Sequence, residues 1–170
     1  DYLTHGFWAM TQGEELPCPG ISAVMLKSMV DVTDKVLEGI TSETTNEERA
    51  EIVKANLKKV KEGAEEATDY QVVIKSFYNG NKYYMIYNEV FKDVRLVGTP
   101  PSNIGKFGGD TDNWVWPRHT GDFSVFRIYV APDGSAADYS GDNVPYKPNY
   151  HFPISLKGAN EGDFTFVFGY

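Results

Sequence analysis

This 170-residue chain is poor in the groups from which reactive sites are usually assembled. It has one cysteine, Cys18, set between Pro17 and Pro19, so no disulfide can close within the chain. With no basic residue beside it, a small thiol in a turn is the expected role, and a bridge to a cysteine elsewhere stays open. The three histidines, His5, His119 and His151, lack the His-x-x-x-His spacing of a helical metal site and read as surface or loop residues. There is no Gly-x-Ser-x-Gly, and no serine stands in a glycine-rich turn that would present an activated hydroxyl. A complete nucleophilic site is therefore not expected here. No apolar run approaches the ~20 residues that a membrane helix needs, and no basic stretch followed by an apolar one opens the chain. Positive charge is scarce too: 16 Lys and Arg against 24 Asp and Glu leave a formal charge of −8, which argues against a phosphate-binding surface.

What the chain does have is core-forming material. At 41% hydrophobic and 14% aromatic it can fill one ordinary domain. Asp1 is not an initiator and Phe164 to Tyr170 stops inside what reads as a strand, so residues 1–170 are expected to be a single partial domain of a larger protein. Residues 1–20 read as an irregular lead-in, Gly20 to Asp31 as a strand and Val32 to Ile40 as a short helix. Thr45 and Glu48 form a capping-box pattern that opens a helix over 46–67. On it Ala50, Val53, Leu57, Val60, Ala64 and Ala67 make an apolar stripe opposite lysines and glutamates, which places the helix on a surface. Beyond Gln71 the pattern becomes β: a hairpin turning at Asn79-Gly80, a strand at Val94 to Val97, a turn at Pro132 to Gly134, a long loop over Tyr139 to Tyr150, and strands at Phe152 to Leu156 and Phe164 to Phe168. Helices on a surface, hairpins and long loops suggest a barrel or sandwich.

The most informative stretch is Asp112 to Tyr129, because it drives an acid toward an apolar strand. Read with a period of two, Asp122 shares a face with Ser124, Phe126, Ile128 and Val130, while Phe123, Val125, Arg127 and Tyr129 take the other. A carboxylate among such neighbours is costly to desolvate unless it is paired, so Asp122 is expected to be functional, with a buried partner. His119 stands three residues away, but the Thr120-Gly121 turn is expected to send it elsewhere. Gly109 to Asn113 resembles half of a calcium loop without its glycine or its closing Glu, and Gly105 to Gly109 follows no βα unit. Both read as plain loop; no metal or cofactor is expected.

Asp122 to Ile128 resembles the strand that carries the acid of trypsin-fold peptidases, and Gly162-Asp163 through Gly169-Tyr170 resembles the strand that follows it in bacterial members. With Asp1 to Thr4, Gly6 to Ala9, Glu15 to Pro17, Asp31 to Thr33, Asn113-Trp114 through Arg127, and Asp142 to Pro148 included, the chain resembles, nearly end to end, the bacterial dipeptidyl-peptidase 7 and 11 family of serine peptidases. The resemblance implies a mainly β fold with one or two helices, part of a chymotrypsin/trypsin-like antiparallel β-barrel, lying between the catalytic-histidine motif and a helical insertion. It further implies a periplasmic bacterial hydrolase, with a homodimeric parent allowed, that removes dipeptides from the free N-terminus of oligopeptides without a cofactor. By motif Asp122 matches the triad aspartate, while the histidine and serine lie outside the chain, which alone should be inactive. Asn113 and Trp114 match the pair that grips the substrate α-amino group, through an amide oxygen and a cation–π face. The carboxylate completing that grip is expected from the helical insertion, not from Asp110 or Asp112, and the side-chain preference from residues beyond Tyr170. Two other readings stand beside this one: a non-catalytic β module whose Trp114, Trp116 and tyrosines line a peptide or sugar groove, and a structural domain whose Asp122 is capped by backbone donors.

Overall fold

The computed structural model describes all residues except 113, 114, 117, 118 and 168–170. The described chain is mainly β with four short or medium helices, and its strands form two antiparallel sheets. It opens with α1 (Tyr2–His5), β1 (Phe7–Trp8), β2 (Leu16–Pro17), β3 (Ala23–Asp31), α2 (Thr33–Val36) and α3 (Asn46–Glu65). Then come β4 (Gln71–Phe77), β5 (Lys82–Phe91), β6 (Asp93–Thr99), α4 (Ser102–Gly105), β7 (Val125–Val130) and β8 (Val144–Pro145).

The first sheet has the order β3-β5-β4 and lies under α3. Helix α3 starts where the capping box requires: the Thr45 hydroxyl accepts from the Glu48 amide at 3.3 Å, and the Glu48 carboxylate accepts from the Thr45 amide at 2.9 Å. The Thr45 amide, and after it the Thr45 hydroxyl, which also donates to the carboxylate at 2.9 Å, hold the Glu48 carboxyl below its usual range. Of the expected stripe, Val53, Leu57, Val60 and Ala64 pack on Val32, Val36, Val72, Tyr83 and Met85. Ala50 and Ala67 stay exposed, Ala67 because the helix has already ended at Glu65. Asn56 donates to the carbonyls of Val36 and Glu38, both at 3.0 Å, satisfying acceptors that α2 leaves open at its C-terminal end.

The hairpin of β4 and β5 is where Asn79-Gly80 indicates, but its loop is longer than the two residues that this dipeptide favours. Phe77 pairs with Lys82, so Tyr78 to Asn81 make the turn. Tyr78, Asn79 and Gly80 all take positive φ (50°, 56° and 80°), a geometry that Asn and Gly accept and that Tyr tolerates here with its ring in solvent.

The second sheet is built on β6, which follows β5 after the single residue Lys92. Strands β1 and β2 pair with β6 along one edge and β7 along the other, with β8 outside β7. The expected irregular lead-in thus supplies two short strands, and the expected 139–150 loop supplies β8. Residues 152–156 and 164–167, read as strands, form none: Ile154, Leu156 and Val167 lie open to solvent. An alternating apolar segment becomes a strand only when a neighbouring edge takes up its N–H and C=O groups, and no described segment pairs with these.

Candidate active site

Asp122 is neither buried nor within a strand. Strand β7 begins at Val125, and Asp122 sits three residues before it with its side chain exposed. The division into two faces is correct along β7, but the face without Asp122 is the anchored one. There the Glu15 carboxylate, itself buried, accepts from Arg127 Nε at 2.8 Å and from the Tyr129 hydroxyl at 2.9 Å. Next to it, Asp93 accepts from Arg95 Nε at 2.9 Å and Nη2 at 2.7 Å and from Asn143 at 2.9 Å. The Arg95 guanidinium lies 3.7 Å over the Tyr129 ring and 5.0 Å from that of Tyr139. Burial drives the Asp93 carboxyl upward, but the bonds from Arg95 and Asn143 outweigh it and leave the group below its ordinary value. Burial and the bond to Glu15 together push the Tyr129 phenol up. Sequence reasoning missed this network; the available signal was one arginine in each of two apolar strand segments, Val94-Arg95-Leu96 and Phe126-Arg127-Ile128.

Asp122 instead stands on the wall of a cleft of about 570 Å³. Leu3 of α1, Leu96 of β6, Phe107 and Phe123 give the cleft apolar surface, and Lys106 and Thr120 join Asp122 as polar groups. Gly6 makes this arrangement feasible: at φ 73° a side chain there would be strained, and a Cβ would come within 2.8 Å of the Thr99 carbonyl and 2.9 Å of Pro101 N. The chain can therefore bend back and lay α1 beside α4. The stretch around Asp122 is tied down on both sides. The Gly121 amide donates to the Ile104 carbonyl at 3.0 Å, and the Ser124 hydroxyl donates to that of Thr99 at 3.4 Å.

An exposed carboxylate on a half-apolar wall can accept a hydrogen bond from an imidazole N–H or an ammonium group. His119 does not serve: its ring packs edge-on against Phe107, centroids 5.7 Å apart, and no ion pair links it to Asp122 among the described residues. His151 stacks on Tyr150. Lys106 pairs with Asp110 at 2.6 Å, which raises the lysine and lowers the aspartate, and so engages both groups of the glycine-rich loop. Asn113 and Trp114 lie outside the described residues; Lys106, Phe107 and Thr120 line the cleft. Trp116 is exposed. Cys18 is half-buried, its thiol directed to the Leu16 carbonyl at 3.4 Å, as a small turn residue would be.

An Asp/Glu-specific dipeptidyl-peptidase of Capnocytophaga gingivalis is 54% identical over 170 residues, which is 100% of this chain and 24% of that protein. Dipeptidyl-peptidase 7 of Porphyromonas gingivalis is 50% identical over 173 residues, again 100% of this chain and 24% of the relative. Among solved structures, Porphyromonas endodontalis DPP11 in complex with the dipeptide Arg-Glu superposes with a TM-score of 0.77 at 44% identity, covering 96% of this chain and 25% of that one. The same protein in complex with substrate gives a TM-score of 0.77 over 95% of this chain and 24% of that one. The chain thus spans about a quarter of the length of the relatives it matches. The family model described as Peptidase S46 matches residues 1–170, and the chain belongs to that family.

Proposed function

We propose that this chain is the part of a serine-type dipeptidyl-peptidase that supplies the triad aspartate, Asp122, and the substrate amino-group anchor, Asn113 and Trp114. The observation that carries the reading is the placement of Asp122: a carboxylate open to a cleft on a tethered backbone, in a chain similar along its whole length to dipeptidyl-peptidases. The half-barrel around β6 and β7 is one part of a chymotrypsin-like pair of barrels, and a histidine from another part of the full-length protein enters the cleft. Its Nδ1–H donates to Asp122, which fixes the tautomer with Nε2 free to take the proton of the nucleophilic serine. As the serine oxygen adds to the scissile carbonyl, the carboxylate stabilises the imidazolium; the proton then passes to the leaving amine.

Asn113 and Trp114 measure the substrate. An ammonium held at a fixed distance from the serine leaves room for two residues before the scissile bond, so binding energy at the amine selects the length. Relatives named for acidic specificity and relatives named dipeptidyl-peptidase 7 match this segment almost equally well, at 54% and 50%. That supports a role in the steps both share, with side-chain preference set elsewhere. Peptides are the substrate class, in keeping with the dipeptide and substrate complexes of the similar structures, and the periplasm is the proposed compartment.

In the full-length protein, Asp122→Asn is expected to lower kcat on a dipeptidyl amide by up to ~10⁴-fold through the wrong histidine tautomer. Wild-type turnover in that variant would remove Asp122 from the triad. Asn113→Ala should raise KM for substrates with free N-termini, and equal cleavage of N-acetylated substrates by the wild-type protein would rule out the amine anchor.

A further inference from the structure

We propose that Trp8 is a positioning residue for Asp122, acting across Gly98 and through Phe123; this rests on the reading of Asp122 as the triad aspartate. Strand β6 carries Gly98 at the row where Trp8 of β1 pairs with it on one side and Val125 of β7 on the other. Residues directly opposed in an antiparallel ladder project from the same face. Gly98 projects nothing, and the Trp8 ring fills the vacated place: a Cβ on Gly98 would collide with the six-membered ring of the indole. The indole thereby reaches over the central strand to Phe123, with ring centroids 6.0 Å apart and planes tilted by 49°.

Phe123 adjoins Asp122 in the chain, and the ladder between β6 and β7 stops at Gly98 and Val125. Asp122 to Ser124 therefore run beyond the last ladder pair, where side chains must do the holding. Ser124 is tied to Thr99, Gly121 to Ile104, and Phe123 to Trp8. Trp8 and Phe123 are each about half exposed, 52% and 50%. Rings left half in water contribute less to burial than to placement, and what they place is the backbone that carries the carboxylate.

The test uses the full-length protein and a dipeptidyl amide. Trp8→Ala removes the ring, and Gly98→Ala displaces it. Both are expected to lower kcat about 10- to 100-fold with KM unchanged, the loss that follows when a reacting group is misplaced by about 1 Å. The acid limb of the kcat–pH profile should move to lower pH, because a carboxylate drawn away from the imidazolium supports it less. Trp8→Phe should restore most of kcat, and Trp8→Ala combined with Phe123→Ala should lose little more than either alone. Should Gly98→Ala fail to fold, Trp8→Ala, which only deletes half-exposed atoms, decides the matter. Wild-type kcat and an unmoved acid limb in Trp8→Ala, with Asp122→Asn inactive in the same assay, would overturn the positioning role and leave the triad intact. Full activity in Asp122→Asn would instead remove the reading beneath it.

Discussion

Beneath α3, the β3-β5-β4 sheet buries Val32, Val36, Val72, Tyr83 and Met85, with the Thr33 hydroxyl as its main polar intruder. At similar depth, the sheet built on β6 holds Glu15, Asp93 and Arg95 among Val94, Tyr129 and Val130. The first arrangement is non-directional: any apolar set of the right volume would gather there, and its stability follows the area removed from water. The second is directional. A bidentate Arg95–Asp93 pair, stacked on two tyrosines, admits few alternatives, and each partner left alone would be an uncompensated charge. The site lies on the second sheet. For the triad role proposed for Asp122, which asks that a carboxylate be held to within about half an ångström, a framework with one allowed register serves better than one that is merely well filled.

The charged sheet should suffer most from the loss of a single group. Asp93→Ala should cost about 3 to 5 kcal/mol, because Arg95 would stay buried without its counter-charge. Hydrogen exchange should show β6 and β7 losing protection while β4 and β5 keep theirs. From the apolar side, Met85→Ala should cost about 2 to 3 kcal/mol, within the range for core truncations, and the loss of protection should be confined to the sheet under α3. Acid should act more gently than deletion, since a protonated Asp93 keeps its oxygens in place. Its folded-state value lies below the ordinary 3.8, so its contribution is complete above that pH and is lost as pH falls through the folded value. Asp31 behaves alike: the Thr33 hydroxyl and amide and Lys82 hold it at about 2, which sets a window from about 3.8 down to about 2. Exchange measured stepwise from pH 5 to pH 2 should therefore find the β6–β7 sheet yielding as Asp93 takes up its proton. The smallest effect is Thr45→Ala, about 1 kcal/mol for a lost cap, visible as fraying of the first turn of α3 alone.

Legibility in the sequence followed the range of the interactions. The cap of α3, its stripe and the β4–β5 hairpin depend on residues a few positions apart, and local pattern placed them within a residue or two. The Glu15–Arg127 contact spans 112 positions, and a charged residue in a strand reads as a solvent-facing one, so the network was invisible. Asp122 was singled out on sound chemistry and assigned the wrong surroundings. The alternation of 122 to 130 suggests one buried face, whereas burial increases along β7 toward Tyr129 and Val130 on both faces. Strands at 152–156 and 164–168 were inferred from alternation alone, which specifies a face and not a partner. The roles proposed for Asn113 and Trp114 rest on family resemblance, because nothing in their spacing dictates an amine site.

The chain passes from β5 to β6 through Lys92 alone, and the parity of that corner is fixed. Side chains alternate with a period of two, so the length of that corner decides which side of the second sheet receives Asp93 and Arg95 and which receives Val94. One residue added at the corner would exchange the two sets, turning the charges away from Tyr129 and Asn143 and the valine toward them; two added residues would return each to its side. The exposed lysine at position 92 is thus open to almost any substitution and closed to an insertion of odd length.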